Sequence, residues 1–189
     1  MTLTIRTAHA GDLASIAGLH ATNWRLAYRG ILSDRYLDHE LEHDRLADWQ
    51  GRFAAPAPGQ FVIVAEDLHG TLLGFACAYG KNDPAAGTLV ENLHAHPAFR
   101  NLGIGKAMLA HLAEWSMSRY PGDALHLWVL SANLPAIGFY QRMGAINDHS
   151  EIWDAPDGSR VPELRFTWYQ PAKLISPAQN MVKTKPQTD

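Results

Sequence analysis

Seven consecutive residues, Arg100-Asn101-Leu102-Gly103-Ile104-Gly105-Lys106, place two cations and two glycines between an apolar strand and a helix. Glycine lets the backbone turn tightly and come close to a ligand. The first amides of the following helix lack intrahelical partners, and they face the loop with the positive end of the helix dipole. Such a strand–loop–helix junction is an anion cradle, most often for phosphate. In the helix Ile104, Met108, Leu112 and Trp115 recur at steps of four, four and three, so one face is buried and the loop is anchored.

Two familiar phosphate loops fail on named residues. A P-loop needs glycine where Arg100 stands and Ser or Thr where Ala107 follows Lys106. The dinucleotide fingerprint needs a third glycine where Met108 stands. Other reactive side chains are sparse. Cys77 is the single cysteine, lies in the apolar run Leu72 to Tyr79, and reads as an inert core thiol. His94 and His96 would share a strand face, with His20, His39 and His43 upstream, yet no HExxH pattern or Cys/His cluster accompanies them. No metal site is expected.

The elements that must position the loop are legible in order. Leu3 to Arg6 alternates like a strand, and Asp12 is a suitable N-cap for a helix from Leu13 to about Tyr28, broken by Gly30 and Ser33. A second helix follows with Leu46, Trp49 and Phe53 on one face, ended by Pro56-Ala57-Pro58-Gly59. Phe61 to Ala65 and Leu72 to Tyr79 read as a hairpin, and Thr88 to His96 as the strand before the loop. Leu125 to Leu130 is a further strand. Asn133 to Met143 reads as a helix with Pro135 in its first turn and Gly144 just past its end. Ala145 to Trp153 and Glu163 to Tyr169 read as a terminal hairpin, and the proline-bearing residues from Gln170 onward as a loosely held tail.

With 189 residues, 47% of them hydrophobic and 19% charged, the chain suits one globular α/β domain. A net charge of −3 argues against a large nucleic-acid footprint. The N-terminus lacks a signal-peptide pattern and no apolar run reaches membrane-spanning length, so a cytoplasmic location with no membrane partner is the expectation.

Arg100-x-x-Gly103-x-Gly105, five residues after a strand end at Ala95, resembles the acetyl-coenzyme-A loop of the GNAT superfamily of N-acetyltransferases. A second block, Asn133-x-x-Ala136-x-x-Phe139-Tyr140-x-x-x-Gly144, is similar to that family as well. The resemblance covers roughly residues 3 to 169. It implies the GNAT fold for residues 1–169: a mixed, mostly antiparallel sheet of about six or seven strands, with strands four and five splayed apart and about four helices. Residues 170–189 would be a C-terminal tail.

The resemblance also implies a division of labour. Backbone amides of Asn101, Leu102, Gly103, Ile104, Gly105 and Lys106 would hold the pyrophosphate of acetyl-CoA, with Arg100 adding a charge. Main-chain groups of Leu93, His94 and Ala95 would run beside the pantetheine arm, and Asn133 would bond it, cap its helix, or do both. One main-chain N–H near Leu93 or Ala95 would serve the oxyanion. Tyr140 matches the tyrosine that protonates the departing thiolate; packing against the sheet is its competing role. An alkylamine near pKa 10 must lose a proton before it can attack, and Glu91 occupies a position where several members carry a catalytic carboxylate. Pairing with a cation, or facing solvent, is the alternative for Glu91.

The acceptor pocket in this family lies against the first two helices. Trp24 and Tyr28, one turn apart, and Tyr79 are candidates to wall it, and Trp128 and Trp153 are further ones, each with core packing as the rival role. Asp34, Asp38 and Glu40 could draw in a cation or simply face solvent. The expected activity is direct acetyl transfer from acetyl-CoA to a primary amine, of a small molecule first and of a protein terminus or lysine second. A non-catalytic acyl-CoA sensor is the third reading. Many relatives are dimers, so a homodimer through the terminal hairpin or tail is an option that the resemblance brings.

Overall fold

The computed structural model describes residues 2–175, so the expected tail lies outside it beyond Ile175. Seven strands form one sheet in the order β1-β2-β3-β4-β5-β7-β6. In chain order these are β1 (Thr4–Thr7), β2 (Gln60–Glu66), β3 (Leu72–Asp83), β4 (Gly87–Ala95), β5 (Leu125–Leu130), β6 (Ile146–Asp154) and β7 (Arg160–Trp168). Helices α1 (Leu13–Ala27) and α2 (Leu41–Ala54) cover one face, and α3 (Ile104–Arg119) and α4 (Leu134–Arg142) the other.

Every neighbouring pair is antiparallel except β4 and β5. That parallel pair is joined only at Thr88↔Leu125 and Leu89↔His126, after which the strands part. The expected splay is thus present, and the main chain of 90–95 has no strand partner on its β5 side. A bulge sits in the same stretch: Ala78 pairs with Val90 and Cys77 with Asn92, leaving Glu91 as the extra residue.

The central strands are apolar on both faces because both faces are covered. On β3, Phe75 and Cys77 point to α1 and α2, while Leu73, Ala76 and Ala78 join the α3 cluster. Ile104, Met108 and Leu112 of α3 are buried there as their spacing predicts, and Trp115 stacks on Phe61 with ring centroids 4.7 Å apart.

Three expectations need correction. Asp12 does not cap α1 with its side chain. His9 and Asp12 instead form a capping box on the short 3₁₀ turn Ala10–Asp12, and Asp12 also accepts two hydrogen bonds from Arg6, at 2.8 and 2.9 Å. The bidentate ion pair with Arg6 and the bond from the His9 amide together hold the Asp12 carboxylate away from the α1 amides. On α2 the buried stripe is Leu41, Arg45 and Trp49, with Leu46 turned toward solvent. Arg45 can take a core position because its guanidinium lies over the Trp24 ring, 4.5 Å from the centroid, and pairs with Asp44 at 2.9 Å. Finally, the start of the tail is docked. Pro171–Leu174 form a 3₁₀ turn against α3, and Leu174 joins the core.

Candidate active site

Where β4 and β5 part, a cavity of about 1070 Å³ opens between the two helical layers. Trp24, Tyr28, Glu91, Leu93, His94, Ala95, Arg100, Asn101, Gly103, Ile104, Gly105, Lys106, Asn133 and Tyr140 all border it. Two expected residues do not. The Leu102 side chain points to solvent, so that residue has only its main chain to offer. Tyr79 lies on the outer side of α2, beside a shallow depression with Gln60, where its hydroxyl accepts from Arg52 at 3.1 Å. It braces that arginine and is not part of the cavity wall.

At one end of the cavity the backbone dominates. Asn101 and Gly103 adopt left-handed conformations with φ of 65° and 79°, turning the chain sharply into α3. The first intrahelical bond runs from the Ala107 amide to the Gly103 carbonyl at 2.9 Å, so the amides of Ile104, Gly105 and Lys106 precede it. Phe139 of α4 lies 3.4 Å from where a Cβ on Gly105 would sit, so the two sequence motifs meet here. Arg100, Lys106 and Arg142 stand around this end, and among the described residues none has a carboxylate partner. Unpaired cations, free helix amides and an unpartnered strand edge suit a long polyanionic ligand with an amide-bearing arm, which is the chemistry of coenzyme A.

In the middle lies Tyr140. Its ring packs between Phe139, Phe166 and Trp168 at 5.5, 6.3 and 6.0 Å, and its hydroxyl has no hydrogen-bond partner among the described residues. Burial pushes its pKa above the ordinary phenol value, with the Tyr28 phenol a second contribution. The proton therefore stays on oxygen, available to donate. Asn133 caps α4 through a long 3.4 Å bond from the Ala136 amide, which leaves its own amide hydrogens uncommitted.

Side chains from several elements build the other end. Trp24 meets Tyr28 and Trp153 at 5.1 and 5.8 Å, forming an aromatic wall, and Trp128 adds to it. Burial raises the Tyr28 phenol to about 12, helped by Glu163. Arg52 binds Glu91 and Asn92, both at 3.3 Å, and also Asp48 at 3.1 Å. Two consecutive strand residues reach one guanidinium because Glu91 is the bulge. The Glu91 carboxylate is therefore ion-paired with Arg52. Beneath this end, His94 is held down to about 4 by burial and by Arg45. His20 is also kept neutral by burial, and its Nδ1 accepts from Trp49 Nε1 at 3.1 Å. Cys77 is fully buried and its thiol is raised to about 11, unsuited to nucleophilic work.

Besides Arg142, four residues with a role on the cavity escaped the sequence reading. Asn23 donates to the Ala95 carbonyl at 3.1 Å and ties α1 to the end of β4. Arg45 and Arg52 border the aromatic end. Glu163 of β7 points into the cavity and has no cation within ion-pair distance among the described residues. Burial, then the neighbouring Glu151, raise Glu163 to about 7. One signal for it existed: a lone carboxylate in the strand-like stretch Val161 to Trp168.

Among the described residues no group of three His, Cys, Asp or Glu side chains is placed to hold a metal ion, and no helix is long and apolar enough to cross a membrane.

Comparison with known proteins agrees with this geometry. Residues 22–145 match the profile described as the Acetyltransferase (GNAT) family. The chain is 29% identical over 174 residues to an uncharacterized N-acetyltransferase, YuaI, of Bacillus subtilis, covering 88% of this chain and 92% of the relative. It is 29% identical over 157 residues to streptothricin acetyltransferase of Streptomyces lavendulae, covering 76% and 81%. Among solved structures it shares the fold of yncA from Salmonella typhimurium, a putative acetyltransferase with its cofactor acetyl-CoA. That match has a TM-score of 0.61 at 23% identity, covering 88% and 94%. The chain belongs to the acetyltransferase (GNAT) family and is an acyltransferase that uses acetyl-CoA.

Proposed function

We propose that this enzyme acetylates a primary amine of a small cationic molecule, by direct transfer while donor and acceptor are bound together. One observation carries the reading: a single cavity joins the cation-rimmed glycine loop to an aromatic and acidic chamber, with the Tyr140 hydroxyl between them. The aromatic walls and the ion-paired floor favour a compact acceptor over an extended peptide. The relative named for streptothricin supports a small molecule too. The buried, unreactive Cys77 argues against an acyl-cysteine intermediate.

In this reading the amides of 101–106 and the cations Arg100, Lys106 and Arg142 hold the coenzyme's phosphates. Main-chain groups of Leu93 and Ala95 align the pantetheine arm and supply an N–H to the oxyanion, and Asn133 bonds the arm from the other side. The neutral amine attacks the thioester carbonyl, so a C–N bond forms and the C–S bond breaks. Tyr140 gives its proton to the departing thiolate and regains one from the newly acylated nitrogen. Glu91, held by Arg52, contributes negative charge on the acceptor side.

The test is a screen of an amine library with acetyl-CoA, read by a mass gain of one acetyl group and by thiol release. Acetylated small amines are the expected result. Acetylation confined to peptide termini or lysines would replace the small-molecule acceptor, and coenzyme binding without thiol release would make the protein a sensor.

A further inference from the structure

We propose that Glu163, on β7, is the group that takes the first proton from the acceptor's ammonium, an assignment that rests on the acetyltransferase reading above. Its position in the sheet argues for this first. Glu163 pairs with Leu130 of β5 on one side and with Glu151 of β6 on the other, so all three side chains rise from the same face. That face is the one covered by α1, because Leu130 and Val161 belong to the cluster around Trp24. The carboxylate therefore stands in the acceptor chamber, facing Trp24 and Tyr28 of α1.

The groups around it leave its charge uncompensated. Glu151 is its cross-strand neighbour, and Glu91 faces it from β4. Tyr28 of α1 and Tyr140 of α4 are neutral phenols. The cations in the chamber are already engaged: Arg45 with Asp44 and Asp48, Arg52 with Asp48 and Glu91. On its own strand Arg165 is bound to Asp148 at 2.8 Å. His149, two residues along β6 on the same face, stacks on Trp128 at 5.8 Å. Among the described residues no cation is paired with Glu163 itself, and a half-buried carboxylate in that position favours an incoming cation, which an alkylammonium supplies.

A useful base also needs an affinity for protons near working pH. Glu91 cannot be freed without breaking its pair with Arg52. Glu163, raised to about 7, can accept a proton and return it to solvent through the cavity mouth. The balance is complete. One ammonium proton passes to Glu163 and on to water, the second nitrogen proton replaces the one Tyr140 gives to the thiolate, and the products are the acetamide, the free thiol and one released proton. Acceptors therefore enter as cations and become neutral only inside the chamber.

The experiment measures kcat/KM against pH, from 5.5 to 9, for the best amine from the library, using the wild-type enzyme, Glu163→Gln, Glu163→Asp and Glu91→Gln. The wild type is expected to show a limb rising through about pH 7. Glu163→Gln should lose that limb and at least roughly a hundredfold in kcat/KM at pH 8, with coenzyme A affinity kept. Glu163→Asp should restore part of the rate and keep a shifted limb. Glu91→Gln should keep the limb whatever it does to the rate. Glu163→Gln should also melt no lower than the wild type at pH 8, because it removes an uncompensated charge, so lost activity is not lost folding. A full limb in Glu163→Gln, or its loss in Glu91→Gln instead, overturns the assignment while leaving the acetyltransferase reading intact. A wild-type enzyme that acetylates no amine overturns both.

Discussion

The two ends of the cavity are built by different means. At the donor end a short run of sequence does most of the work: helix amides, two left-handed residues and the cations Arg100 and Lys106, which, like Arg142 on α4, have no carboxylate partner among the described residues. At the acceptor end no contiguous run suffices. Trp24, Arg45, Glu91, Trp153 and Glu163 come from α1, α2, β4, β6 and β7, and most of the charge there is internally paired. A donor common to a whole family can be gripped by backbone geometry that tolerates many side chains. An acceptor that differs among members must be read by side chains, and these are scattered along the chain.

Acid should separate the two ends most strongly. His94 and His20 lie under the acceptor end and are neutral in the fold, with pKa values below that of an exposed histidine. Groups whose folded pKa is depressed stabilise the protein above the unfolded value near 6.5, and that stability is lost as pH falls. Between about 6.5 and 4 His94 alone removes on the order of 3 kcal/mol, and His20 acts in the same direction. Thermal melts from pH 7.5 to 4.5 should fall steeply below 6.5. A double His20→Gln, His94→Gln variant should flatten that fall, and an unchanged slope would break the contrast.

Next in size is the group between the ends. Tyr140→Phe should lower kcat roughly a hundredfold or more while the dissociation constant for coenzyme A, measured by calorimetry, stays within about twofold. A matched loss of binding would assign Tyr140 to the donor end alone. At that end, Gly103→Ala forces a residue with a Cβ to hold φ near 79°, costing about 1 kcal/mol and raising the KM for acetyl-CoA roughly fivefold without touching the amine's KM. The smallest effect is electrostatic. Arg142→Gln should weaken acetyl-CoA binding two- to threefold at low salt and reduce its salt dependence, a change lost at high ionic strength.

The same contrast governs what could be read from the residues alone. Strand and helix order, the glycine loop, Asn133 at its cap and Tyr140 were legible because local spacing or a contiguous motif carries each. Arg45 was not, since an arginine in the buried stripe of α2 makes sense only once Trp24 is seen beneath it. Tyr79 looked like pocket lining because aromatic residues on a central strand usually are buried. Its direction was set by Arg52, 27 positions away. Glu91 could be placed on β4, but the bulge that turns it toward Arg52 is a property of the pairing with β3. Glu163 needed both of its antiparallel neighbours, β5 and β6, in place before its lack of a cation partner among the described residues was visible.

The sheet is one continuous structure only through two residue pairs, Thr88↔Leu125 and Leu89↔His126. On either side of them stand two half-sheets, β1 to β4 and β5-β7-β6. In the proposed reading a bound pantetheine arm lies along 90–95 and stitches the halves together, much as a missing strand would. Coenzyme binding should therefore act as a stiffener as well as a supply of acetyl groups, slowing hydrogen exchange at the amides of 90–95 and of β5 together. The acceptor chamber, framed by both halves, would then reach its working shape after the donor is in place, which gives an order of binding that neither site states by itself.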